Sequence, residues 1–199
     1  MPKIKICGLF RDYDIDFVNE AMPDYIGFVF AKSHRQITKE QASVFRKRLN
    51  NNIISVGVFV DNKIEEIQQL YNDNIISVAQ LHGNEDPDYI LNLRKNNNLQ
   101  IIKAIDLNTY KNVEQLVNIN ADFLLFDSGN GGTGKTFNWD TIPKIQKSFF
   151  LAGGLDINNI GQAIKTVNPY AVDLSTGVET NGVKDKQKIL NIVRRVKNV

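Results

Sequence analysis

The sequence predicts an α/β protein, a compact single-domain (β/α)8 barrel spanning residues 1–199. Three observations predict it. Short runs rich in Ile, Val and Phe recur about every 25 residues, eight in all. Several are nearly continuous, as in Ile54-Ser55-Val56-Gly57-Val58-Phe59-Val60, which suits strands buried on both faces of a parallel sheet. Between the runs lie segments whose apolar residues recur at helical spacing. An open doubly wound sheet usually has about five or six strands. Eight βα units in 199 residues sit instead near the lower size limit of roughly 200 residues for the closed TIM-barrel architecture.

In chain order the expected strands are Lys3–Cys7, Tyr25–Phe30, Ile53–Val60, Ile75–Leu81, Ile101–Ile105, Asp122–Asp127, Phe149–Ala152 and Ala171–Ser175. Thr38-Lys39-Glu40-Gln41 has capping-box form ahead of Ala42, Phe45 and Leu49. Asp61 stands ahead of the face made by Ile64, Ile67, Leu70 and Tyr71. Asp86-Pro87 places an N-cap before a proline at the first helical position. Thr109–Asn120 is only weakly helical. Asp156 precedes Ile157, Ile160, Ala163, Ile164 and Val167, and the last face is Ile189, Ile192, Val193 and Val196.

Composition narrows the function. Lys and Arg total 24 against 22 Asp and Glu, so no basic field marks a nucleic-acid partner. No apolar run approaches the roughly 20 residues that cross a bilayer. The chain enters strand-like sequence directly after Met1-Pro2, with no room for a signal peptide. A cytoplasmic protein is expected, with its one cysteine, Cys7, reduced. A closed barrel offers no open edge for strand pairing, so a monomer is expected.

Barrel active sites lie at the C-terminal ends of the strands. The residues there are Cys7-Gly8, Phe30 to Arg35, Asp61, Gln80 to Gly83, Asp106, Asp127-Ser128, Gly153-Gly154 and Ser175-Thr176-Gly177. The last two groups follow the seventh and eighth strands, where barrels commonly bind phosphate, and their glycines let backbone N–H groups approach an anion. Cys7 is a candidate general base if its thiol ionises near neutral pH. Asp127 ends an apolar strand, where partial desolvation raises a carboxyl pKa and suits a general acid. His82 is expected to orient or bond a loop, and His34 to be solvated. Two isolated histidines do not suggest a metal site. Gly129 to Thr136 match the G-x-x-x-x-G-K-[ST] string of a nucleotide-binding loop, but Phe137-Asn138-Trp139 and Pro143 make a poor following helix. A mobile active-site loop is the better reading, with nucleotide hydrolysis as the rival.

These residues also carry a resemblance. Its strings are Lys5-Ile6-Cys7-Gly8-Leu9, Gly27-Phe28-Val29-Phe30 with Ser33-His34-Arg35, Val56-Gly57-Val58-Phe59 and Gln80-Leu81-His82-Gly83. It continues through Gly132-Thr133-Gly134 with Phe137 and Trp139, Leu151-Ala152-Gly153-Gly154-Leu155 and Gly177-Val178-Glu179. In order and spacing the chain resembles the phosphoribosylanthranilate isomerase family of tryptophan biosynthesis over essentially its full length. Thr176 and Asn138 depart from the residues common in that family, Ser and Asp. The resemblance implies a (β/α)8 barrel and an Amadori rearrangement of N-(5-phosphoribosyl)anthranilate to 1-(2-carboxyphenylamino)-1-deoxyribulose 5-phosphate, without cofactor or metal. It also implies Cys7 as general base, Asp127 as general acid and Arg35 as a holder of the anthranilate end. The rim groups Gly153, Gly154, Ser175, Thr176 and Gly177 are expected to anchor the phosphate. Another phosphosugar barrel enzyme of the histidine or tryptophan routes is the alternative.

Overall fold

The computed structural model describes residues 1–106, 116, 118–127 and 137–198. Eight parallel strands close into a barrel in sequence order. They are β1 (Lys3–Cys7), β2 (Tyr25–Val29), β3 (Ile54–Phe59), β4 (Val78–Leu81), β5 (Gln100–Asp106), β6 (Phe123–Asp127), β7 (Phe149–Leu151) and β8 (Ala171–Leu174). Closure is made by β1 against β8, with Lys5 opposite Asp173. The described helices are α1 (Asp12–Ala21), α2 (Lys39–Arg48), α3 (Ile64–Asn72), α4 (Pro87–Leu93), α5 (Ile160–Val167) and α6 (Lys186–Lys197). A short hairpin, β9 (Glu179–Thr180) with β10 (Val183–Lys184), follows β8. Among the described residues, no helix is long and apolar enough to cross a membrane.

Alternation along each strand makes two cores. Tyr25, Val56, Val78, Ile102, Leu125, Phe150 and Ala171 fill the lower barrel interior. Phe150 meets Tyr25 and Phe123 edge-on, with ring centroids 5.4 and 5.5 Å apart. The opposite strand faces bury Ile4, Ile6, Ile26, Phe28, Phe59, Ala79 and Leu81 against the inner stripes of the helices. A packed base below leaves the upper barrel mouth for polar side chains.

The start signals act as expected at two helices. Thr38 accepts from Gln41 N while the Gln41 side chain accepts from Thr38 N, and Asp86 accepts from Tyr89 N at 2.7 Å ahead of Pro87. At α1 the reciprocal contact comes from Asp14, whose carboxylate accepts the Phe10 and Arg11 N–H groups and the Arg11 guanidinium.

Other local expectations are corrected. Asp61 does not cap α3, which starts after Lys63. It adopts φ +52° and accepts from Asn84 N at 2.7 Å, tying the β3 loop to the β4 loop. Residues 75–77 precede β4 because the Ile75 and Ile76 N–H groups turn back to Leu70 O, closing α3. Asp156 caps a turn, accepting from Asn158 and Asn159, and α5 begins only at Ile160. Ile157 therefore lies outside the helical stripe and is exposed. Most of the weakly helical 109–120 segment and the whole glycine-rich 129–136 string lie outside the described residues.

Candidate active site

A pocket of about 560 Å³ opens at the C-terminal mouth of the barrel. Its wall takes Cys7 from β1, Arg35 from the loop after β2, His82 after β4 and Asp127 from β6. Gly153, Gly154, Ser175 and Thr176 join them from the loops after β7 and β8. Seven of the eight expected site residues thus share one wall. Gly177 instead lines a separate pocket of about 180 Å³ behind the rim. A Cβ there would stand 1.9 Å from Leu155 O, so Gly177 sets how closely the two rim loops approach.

Cys7 keeps partial exposure on the wall. Burial pushes its thiol above the ordinary value. Lys5 pulls it down, Asp173 adds to the rise, and Lys184 also opposes it. The protein groups around Cys7 together move the thiol away from neutrality rather than toward it. Its space comes from Gly27 on β2, where a Cβ would lie 2.6 Å from Cys7 Sγ and 3.1 Å from Cys7 Cα. Gly27→Ala is therefore expected to displace the thiol. We expect it to cut kcat by about ten- to a hundred-fold with a smaller effect on KM, since small misplacements at a reacting group are costly. Steady-state kinetics check this, and an unchanged kcat would contradict it.

Asp127 is buried at the end of Phe123-Leu124-Leu125-Phe126. His82 Nε2 stands 3.6 Å from its Oδ2. Burial holds the His82 imidazole below its usual pKa, although Asp127 pulls the other way. Gln80 Nε2 lies 3.2 Å from His82 Nδ1, so the amide and Asp127 hold the two ring nitrogens of the imidazole. The turn that carries His82 is clamped. Glu85 accepts from Gly83 N and Asp61 N, and Lys103 Nζ donates to Gly83 O and to Glu85, each at 2.7 Å. His34 is exposed.

Arg35 is buried and already paired. Its Nε and one terminal nitrogen donate to the two Glu179 oxygens, both at 2.8 Å. Lys184 Nζ donates to Glu179 Oε1 at 2.5 Å and to Ser175 O at 3.0 Å. Burial alone raises the Glu179 carboxyl, but the Arg35 and Lys184 hydrogen bonds outweigh it and hold it below its ordinary value. The β9–β10 hairpin thus presents Arg35 to the pocket in a fixed orientation. Gly8, at φ +79°, leaves room for its Cδ.

At the phosphate end, Gly153 and Gly154 have φ +85° and +60°, a left-handed turn that side chains rarely adopt. Ser175 Oγ donates to Cys7 O at 3.2 Å, linking this end to β1. Thr176–Val178 then forms a single 3-10 turn.

The sequence reading passed over Lys5, Asp173, Glu179 and Lys184. One signal was present for the first two. Each is a charge within a strand whose neighbouring residues are apolar, two residues before a rim residue and so on the same face.

Fold and rim together define a (β/α)8-barrel enzyme equipped for acid–base chemistry on a small anionic molecule. The family model described as N-(5′-phosphoribosyl)anthranilate (PRA) isomerase matches residues 4–195. The N-(5′-phosphoribosyl)anthranilate isomerase of Endomicrobium trichonymphae is 48% identical over 203 residues, covering 100% of both chains. Crystal structures give the same answer. Monomers generated from the dimeric enzyme of Thermotoga maritima align with a TM-score of 0.82 and 31% identity over 100% of both chains. A phosphoribosyl anthranilate isomerase in complex with reduced 1-(o-carboxyphenylamino)-1-deoxyribulose 5-phosphate aligns with a TM-score of 0.82 and 30% identity, again over 100% of both. The chain belongs to the phosphoribosylanthranilate isomerase family.

Proposed function

We propose that this chain isomerises N-(5-phosphoribosyl)anthranilate to 1-(2-carboxyphenylamino)-1-deoxyribulose 5-phosphate, with Asp127 as acid and Cys7 as base. The reaction is an aldose–ketose isomerisation in tryptophan biosynthesis. One observation carries the assignment of roles. A thiol, a buried carboxyl and a glycine-lined anion end open into the same pocket.

The chemistry asks for those groups. The furanose ring must open, so Asp127 protonates the ring oxygen as the C1′–O bond breaks and the anthranilate nitrogen becomes an iminium. That positive charge acidifies the C2′ proton and favours a thiolate beside it. Cys7 removes the proton, and the enolamine tautomerises to the ketone. One proton leaves Asp127 and one arrives at Cys7, so passing a proton from thiol to carboxylate resets the pair. Phosphate held by the loops of Gly153-Gly154 and Ser175-Thr176-Gly177 supplies remote binding energy that orients the reacting carbons. None of these steps calls on a cofactor or a metal.

The fluorescence of phosphoribosylanthranilate gives the direct assay. Its first-order disappearance on adding the protein is expected, and no disappearance would overturn the reading. Arg35→Ala is expected to raise KM about ten- to a hundred-fold, the range for one lost charged hydrogen bond. Unaltered steady-state constants would remove Arg35 from the anthranilate end.

A further inference from the structure

Lys5 is a fully buried ammonium inside the barrel, directly below the pocket. An ammonium in that position is costly unless paired. Its Nζ donates to Asp173 Oδ2 at 2.7 Å across the β1–β8 seam. Lys5 and Cys7 are two residues apart on β1, so both side chains face the interior. On that shared strand face the ammonium stands beneath Cys7 at the floor of the pocket. The reaction described above leaves this pair without a task.

We propose that Lys5 is a positioning residue for proton abstraction: its ammonium, fixed by Asp173, holds the Cys7 thiolate as an ion pair and sustains the fraction of Cys7 present as base. The proposal rests on the reading of Cys7 as base. The charged groups acting on the thiol are Lys5 on β1, Asp173 on β8 and Lys184 on β10. On the β2 side the neighbour is Gly27, which carries no charge. Burial and Asp173 act against the thiolate. The positive charges of Lys5 and Lys184 act for it. When the C2′ proton reaches Sγ the thiolate is discharged, and the ammonium keeps Asp173 as its counterion. Lys5 itself exchanges no proton.

Cys7 is the single cysteine, so alkylation by iodoacetamide reads this thiol alone, without substrate. In Lys5→Met the pH midpoint of alkylation is expected to rise by at least one unit. Turnover at neutral pH should fall about tenfold or more with little change in KM, and recover as pH rises toward the new midpoint. An unmoved midpoint, or unchanged turnover, overturns the proposal. Lys5→Met strands a buried carboxylate and risks unfolding, so the double variant K5M/D173N carries the same test with neither charge present. Its midpoint is expected to stay above wild type by a smaller margin, because the opposing Asp173 charge is gone too. A midpoint and turnover restored to wild type would assign the pair to stability alone and overturn the proposal. The two readings fail separately. Normal turnover in Cys7→Ser removes the base and leaves the titration result standing. An inactive Cys7→Ser beside an unmoved Lys5→Met midpoint removes only Lys5.

Discussion

Cys7→Ser and Asp127→Asn are each expected to lower kcat by about 10²–10⁴-fold while the barrel stays folded, the usual contribution of one general acid or base. Serine keeps the size and hydrogen-bonding character of cysteine, but its hydroxyl ionises far above the range a thiol reaches. Asparagine keeps the shape of Asp127 and carries no transferable proton. Neither change opens a cavity or adds bulk, so thermal melting close to wild type should accompany the lost activity. Acid and base act on successive steps, so removing either blocks the same path. The double variant is therefore expected to be little worse than the poorer single one. Stopped-flow fluorescence on the three proteins measures this, and near-normal turnover in both single variants would sink the mechanism.

Gly177→Ala is expected to be severely damaging for a single added methyl group. The new Cβ meets Leu155 O at 1.9 Å and Asp156 Cα at 3.2 Å, so backbone rather than a flexible side chain must give way. The segment pushed aside continues directly into Gly153 and Gly154. We expect KM to rise tenfold or more and inorganic phosphate to weaken by a similar factor as a competitive inhibitor. Overpacking of this kind also costs about 1–3 kcal/mol of stability. Gly182→Ala is the control. Gly182 has φ +78° but nothing within 4 Å of an added Cβ, so it carries backbone strain without displacing a neighbour. Kinetics and urea melts of the two variants separate a rim effect from a general glycine effect. Equal KM values in both would contradict the role given to Gly177.

Much of this was legible in the sequence for a simple reason. Strands buried on both faces must be apolar nearly throughout, so Ile54–Phe59 and Phe123–Asp127 announce themselves, and a parallel barrel fixes which end of each strand is the rim. Cys7, Asp127 and the Gly153-Gly154 turn follow from that geometry. What local pattern does not carry is partnership. Asp61 reads as a cap because it precedes a helix, yet its partner is Asn84, on the next loop. Arg35 reads as an open guanidinium because Glu179 is 144 residues away. Ile75 and Ile76 read as strand because they are apolar, although their N–H groups finish a helix. Gly27 is quoted easily as part of a motif, but its reason, space for Sγ, appears only when β2 lies beside β1.

The seam between β1 and β8 has a consequence for how activity is acquired. Lys5 and Asp173 are 168 residues apart, yet they meet directly beneath Cys7. During synthesis the cysteine emerges among the first residues made, and the carboxylate that fixes its neighbour emerges near the end. The entropy of closing so long a loop grows only slowly with length, but closure must still precede the contact. A chain whose eighth strand has not docked therefore carries the thiol without its assembled surroundings. The chemical character of Cys7 becomes a late reporter of folding, acquired when the barrel shuts.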